Sequence, residues 1–199
     1  MIIGVINIKG GVGKTTSSLA IATAAQRSGL SVTVVDTDPQ GSATLWAQAA
    51  EDADDPLPFP VVSRNHAEIR RMRERRPDRN GELIVIDTPP NGSVVDEAIK
   101  TADFVVIPTL SSPIDLQQTM LTAAQCQDAG KDYAVLIVMA RKGTNALRAF
   151  RTAVEEYGAG IFDTEIPLRE DFKADFGHTF RSNLNGYEDV WNELRGELR

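Results

Sequence analysis

Residues Lys9-Gly10-Gly11-Val12-Gly13-Lys14-Thr15-Thr16 constrain this chain more than any other stretch. They follow an apolar run, Ile2–Ile8, that reads as a buried strand, and they precede Ser17–Ala25, which reads as a helix. Strand, glycine-rich loop, Lys-Thr and helix make a phosphate-binding loop in its required context. Glycines let backbone N–H groups close around phosphate oxygens, and the helix N-terminus adds partial positive charge. Lys14 is then the residue that reaches the β/γ-phosphates, and the Thr15 hydroxyl is a magnesium ligand. Two features depart from the common form. Ile8 stands where a glycine belongs, and a second lysine, Lys9, opens the loop. A cation at position 9 cannot easily duplicate Lys14 within one site, but it can reach phosphates held by a facing subunit.

The remaining pattern alternates strands with helices. Strands are expected at Ile2–Ile8, Ser31–Asp36, Pro60–Ser63, Glu82–Asp87, Phe104–Pro108, Tyr133–Met139 and Ile161–Ile166. Most are continuous apolar runs, the signature of a sheet covered on both faces. Helices are expected at Lys14–Ser28, Ser42–Glu51, His66–Arg76, Val94–Thr101, Ile114–Ala129, Asn145–Tyr157 and Gly186–Leu198. Gly29, Gly130 and Gly158 supply C-terminal stops, and Thr144 is the expected N-cap of Asn145–Tyr157. This is α/β logic: a doubly wound, mainly parallel sheet with helices on both faces, in one domain spanning residues 1–199. Ligands of such sheets sit beyond the C-terminal strand ends, where the phosphate loop also lies.

Two further strand ends carry carboxylates: Val34-Val35-Asp36-Thr37-Asp38-Pro39-Gln40 and Ile84-Val85-Ile86-Asp87-Thr88-Pro89-Pro90. An aspartate after an apolar strand beside a phosphate loop is the Walker B arrangement, so Asp87 is expected to hold magnesium, usually through water. Asp38 is the better candidate to orient the attacking water, since phosphoryl transfer depends mainly on positioning and charge stabilisation. Asp36 is expected to be buried support.

Together these segments resemble the ParA/MinD family of deviant Walker A ATPases, most closely the short plasmid-partition ParA type. The resemblance is specific over the first 110 residues, through Ala102–Pro108, and looser beyond; Ser111–Leu116 and Ala140-Arg141-Lys142 also resemble the short class. It implies a P-loop NTPase fold, Mg2+ and ATP as cofactor and substrate, and an ATP-sandwich homodimer in which Lys9 crosses to the partner's nucleotide. Lys9, Lys14 and Asp38 then take catalytic roles, Gly10, Gly11, Val12, Gly13 and Thr16 cradle phosphate, and Thr15 and Asp87 hold the metal. It further implies weak ATP hydrolysis stimulated by a centromere-binding ParB/ParG-like protein. The family commonly contacts adenine through an Asn near the strand that here ends Met139-Ala140-Arg141, where no Asn stands; backbone around Pro167 is the alternative contact.

Composition limits the other readings. A net charge of −7 argues against a whole surface built for nucleic acid, but the charge is uneven. Asp36–Pro58 holds six acidic residues and no basic one, whereas Arg64–Arg79 holds seven arginines against three acidic residues. Two cationic groups are candidates for nonspecific DNA binding: Arg70–Arg76, and the favoured set Arg141, Lys142, Arg148 and Arg151, in which Arg148 and Arg151 are spaced i,i+3. A membrane-bound relative of the same family would need a basic amphipathic helix at the C-terminus. Here Val190, Trp191, Leu194 and Leu198 form an apolar stripe flanked mainly by acids, so packing in the core is expected and no membrane partner. One cysteine, Cys126, rules out an internal disulfide and a thiolate-ligated cluster as in iron-protein electron donors. A metabolic synthetase fits the loop but has no use for Lys9, and a non-enzymatic binding module leaves Asp38 and Asp87 idle. No apolar run spans a bilayer and no signal peptide opens the chain, so a cytoplasmic protein, nucleoid-associated when ATP-bound, is expected.

Overall fold

The computed structural model describes residues 1–74, 81–169 and 175–197. Six strands form one sheet: β1 Ile2–Val5, β2 Ser31–Asp36, β3 Val61–Ser63, β4 Glu82–Asp87, β5 Phe104–Thr109 and β6 Asp132–Ile137. Their order is β3-β2-β4-β1-β5-β6, and every pairing is parallel. The helices are α1 Lys14–Arg27, α2 Ser42–Asp52, α3 His66–Glu74, α4 Ser93–Thr101, α5 Pro113–Asp128, α6 Asn145–Glu156 and α7 Tyr187–Glu197.

Alternation along the strands sorts side chains into two cores. Ile3, Val5, Leu83, Val85, Phe104 and Val106 face one side, with α1, α2 and α7. Ile2, Ile84, Ile86, Val105 and Ile107 face the other, with α3, α4 and α5. A third cluster joins β6 to α6 through Val135, Ile137, Leu147 and Phe150. Because both faces are covered, the strands read as unbroken apolar runs. The expected stripe of α7 lies in the first core: Trp191 is 2% exposed, and its indole N–H donates to the Ser28 hydroxyl at 3.0 Å. Leu198 and the end of the Arg70–Arg76 group, Arg75 and Arg76, lie outside the described residues.

The expected seventh strand, Ile161–Ile166, differs. It pairs with β6 at one bridge, Val135 with Ile161, and through the Ile166 N–H, which donates to the Ile137 carbonyl at 2.9 Å; just beyond both segments Ala140 bridges Pro167. Between Ile161 and Ile166 the N–H groups of Asp163 and Thr164 donate to the Glu193 carboxylate on α7, at 2.8 and 3.0 Å. With the Thr164 N–H taken by that side chain, the segment does not form a continuous ladder with β6.

Register places the chemistry. Asp36 on β2 pairs with Asp87 on β4, and Asp87 pairs with Val5 on β1. Both carboxylates therefore reach the C-terminal edge at the level where β1 gives way to the phosphate loop.

Candidate functional site

The loop begins on a buried asparagine. Asn7 donates to the Pro108 carbonyl at 2.9 Å, and its own carbonyl oxygen accepts the Lys9 N–H at 2.9 Å. Nothing in its type or spacing marked it beyond being a polar residue in an apolar run. Gly11 and Gly13 have φ of 75° and 72°, and Gly13 caps α1 in the left-handed conformation. A Cβ placed on Gly10 or Gly11 meets no atom within 4 Å. Internal crowding therefore does not exclude side chains at these two positions, and the outer face of the loop is left open to a ligand.

Lys14 is 7% exposed, and its ammonium donates to the Lys9 carbonyl at 2.8 Å. Burial lowers its pKa, opposed by the charges of Asp87 and Asp38. Asp87 is fully buried. One carboxylate oxygen accepts the Thr15 hydroxyl at 2.8 Å and the other the Ser18 hydroxyl at 3.0 Å. Burial, aided by the nearby Asp36, raises the Asp87 pKa to about 7, against the Thr15 and Ser18 hydrogen bonds and the Lys14 charge. Asp36 does other work: one oxygen accepts the Asp38 N–H at 3.0 Å, the other the Thr44 N–H and hydroxyl at 2.9 and 2.8 Å. It ties the Asp38 loop to the first turn of α2.

Asp38 is half-buried. It accepts the Gln40 N–H at 2.9 Å and borders an open cavity of about 500 Å3 with Gly10, Gly11, Lys14, Thr15 and Thr16. Trp46 and Phe176, ring centroids 5.4 Å apart, wall that cavity. A smaller apolar recess adjoins it, lined by Gly13, Thr16, Val138, Met139, Pro167 and Tyr187. Met139 borders both cavities and is a non-glycine residue at φ 51°, a conformation that costs energy and is met at functional sites. Neither Met139 nor the aromatic wall was legible in the sequence, because residues far apart in the chain build them.

The remaining expected residues are cations. Lys9 lies outside the phosphate cavity, its ammonium paired with Asp115 in its own chain. Arg148 is exposed, but Arg151 does not share its free face: its guanidinium donates to the Phe162 carbonyl at 3.0 Å and pairs with Glu165 at 3.3 Å. Arg141 and Lys142 are exposed, and the Ala140–Pro167 bridge brings exposed Arg169 beside them. On α3, Arg70 pairs with Glu74 and Arg73 with Glu97. His66 lies 3.8 Å from Glu97 and His178 3.4 Å from Asp55. Among the described residues no cluster of His, Cys, Asp and Glu suited to a metal is found, and no helix is long and apolar enough to cross a membrane.

Oxygen donors suit magnesium, a hard cation. The Thr15 hydroxyl lines the phosphate cavity and donates to the Asp87 carboxylate at 2.8 Å, an oxygen-donor pair whose chemistry fits that ion.

Comparison with known proteins agrees with this architecture. The Maintenance of carboxysome distribution protein A of Gloeobacter kilaueensis is 34% identical over 170 residues, covering 83% of this chain and 76% of the relative. Protein ParA of Rhizobium radiobacter is 26% identical over 206 residues, covering 99% and 90%. Among solved structures, cobyrinic acid a,c-diamide synthase from Mycobacterium smegmatis with bound ADP and magnesium superposes with a TM-score of 0.74 at 18% identity, covering 99% of this chain and 94% of that one. Residues 3–179 match the CobQ/CobB/MinD/ParA nucleotide binding domain, and with that match over most of its length the chain belongs to this family.

Proposed function

We propose that this protein is a single-domain ATPase that binds Mg-ATP, dimerises around it and positions a cargo by ATP-dependent binding to nonspecific DNA. The observation that carries the enzymatic half is the convergence at one cavity of the open phosphate loop, the buried Lys14, the Thr15–Asp87 pair and Asp38. Loop N–H groups and the α1 N-terminus receive phosphate oxygens, with Gly10, Gly11, Val12, Gly13 and Thr16 shaping the cradle. Lys14 leaves the Lys9 carbonyl for the β/γ-phosphates. Asp38, fixed through Asp36 and the Gln40 N–H, orients the attacking water. Thr15 and Asp87 would hold magnesium, which would supply charge neutralisation at the phosphates. The recess at Met139 and Pro167 accepts the base between apolar walls.

Lys9 favours a dimeric positioning ATPase over a metabolic synthetase of the same fold. It lies outside its own phosphate cavity, where a partner's nucleotide is the remaining target. The relatives named for carboxysome distribution and ParA support a positioning role. Exposed Arg141, Lys142, Arg148 and Arg169 form a local cationic rim on a molecule of net charge −7, and two copies in a dimer double it. A ParB/ParG-like protein is the stimulating partner in this reading. Lipid is the weaker alternative, because α7 buries Val190, Trp191 and Leu194 and exposes acids. Binding to random duplex DNA and to anionic liposomes, each with and without Mg-ATP, tests the reading. ATP-dependent retention on DNA supports it; retention on liposomes alone overturns the DNA half. Calorimetry of Lys14→Ala tests the nucleotide site, and unchanged ATP affinity overturns it.

A further inference from the structure

Lys9 is tied at three points. Its N–H donates to Asn7 at 2.9 Å, its carbonyl accepts the Lys14 ammonium at 2.8 Å, and its own ammonium pairs with Asp115. Asp115 cannot follow if Lys9 moves. It is 2% exposed, in the first turn of α5, where it and Ser112 cap one another: the Asp115 N–H donates to the Ser112 hydroxyl at 3.4 Å and the Ser112 N–H to Asp115 at 3.3 Å. Burial raises the Asp115 pKa, but the hydrogen bonds from Lys9 and Ser112 outweigh it and hold the carboxylate below its usual range. An open groove of about 710 Å3, lined by Lys9, Ser112, Asp115, Met139 and Arg141, gives the lysine room to swing.

We propose that Asp115 is a positioning residue for Lys9, holding the ammonium inside its own chain and setting how readily it is presented to a second copy. The proposal rests on the sandwich reading of Lys9 given above. One tether, the Lys14 bond to the Lys9 carbonyl, is the bond a phosphate in the same site competes for. Nucleotide binding therefore loosens residue 9 and shifts the balance from Asp115 toward the partner's phosphates. The Asn7 bond still holds the backbone, and the restraint left on the ammonium is a charge-assisted hydrogen bond to a buried carboxylate, strong enough to shift an equilibrium by about tenfold or more.

Sedimentation velocity with Mg-ATP tests this in the slow-hydrolysing Asp38→Ala background. Asp115→Asn should dimerise at a protein concentration at least about tenfold lower, with the monomer's ATP affinity unchanged by calorimetry. Ser112→Ala removes the helix cap and one hydrogen bond to the Asp115 carboxylate but leaves the ion pair, so it should shift dimerisation clearly less than Asp115→Asn. The double variant Lys9→Ala, Asp115→Asn should show no gain over Lys9→Ala. Unchanged or weaker dimerisation of Asp115→Asn overturns the proposal, as does an equal gain from Ser112→Ala or a gain without Lys9. Normal dimerisation of Lys9→Ala alone instead defeats the sandwich reading. Should Asp115→Asn not fold, the lysine ammonium NMR spectrum of nucleotide-free wild type decides. A slowly exchanging Lys9 signal, assigned by its loss in Lys9→Arg, is expected, and its absence overturns the proposal.

Discussion

Asp36 and Asp87 are register partners on neighbouring strands, both fully buried, yet only Asp87 bonds to a residue of the phosphate loop. Every group facing the Asp36 oxygens is a donor, two of them backbone N–H groups that cannot turn to accept. Asp36→Asn sets an amide N–H2 against one of those donors and should cost about 1–3 kcal/mol of stability, read by urea denaturation. Asp87 faces hydroxyls that can turn, and burial already disfavours its charge. Asp87→Asn should therefore leave stability nearly unchanged while abolishing the magnesium dependence of ATP binding, measured by calorimetry with and without the ion.

Asp38→Ala should retain ATP and lose turnover by about 10²-fold, the usual effect of removing one positioning or charge-stabilising group. Its carboxylate makes no contact that holds the loop together apart from the Gln40 N–H. Phosphate release near the wild-type rate would move the water-orienting role to another group.

Lys9→Ala should bind ATP as a monomer and fail to dimerise. The side chain is absent from its own phosphate cavity, whereas its carbonyl, which Lys14 uses, survives the change. Light scattering with ATP in the Asp38→Ala background is the measurement, and a persistent dimer contradicts the cross-subunit role.

The DNA rim should follow the structure, not the i,i+3 spacing. Replacing Arg141, Lys142 and Arg148 by Ala should weaken binding to all duplex sequences alike and lower the salt slope by about 1 per lost phosphate contact. Arg151→Ala should instead lower stability, because its guanidinium joins α6 to the Phe162–Glu165 segment. DNA titrations at several salt concentrations, paired with thermal melts, separate the two effects.

Cys126 is fully buried and burial pushes its thiol up to about 12, so the folded protein should resist alkylation at pH 8. Modification should appear only in denaturant. Rapid labelling of the native protein would show that α5 opens away from the sheet.

The sequence by itself determined the local chemistry. Loop, strand ends and helix stops follow from short-range pattern, because glycine conformations, apolar runs and Lys-Thr spacing act within a few residues. That is why Lys14, Thr15 and Asp38 border one cavity, with Asp87 bonded to Thr15, and why Thr144 caps α6. Tertiary structure alone decided how side chains distant in the chain are shared out. Glu193 takes N–H groups of the segment expected as a seventh strand, Glu165 withdraws Arg151 from the cationic rim, and Asp115 claims Lys9 from 106 residues away. Each outcome is a competition between a backbone or charged group and a partner brought near only by packing. A buried polar group must find such a partner or lose stability, and a linear pattern does not reveal which one will be within reach.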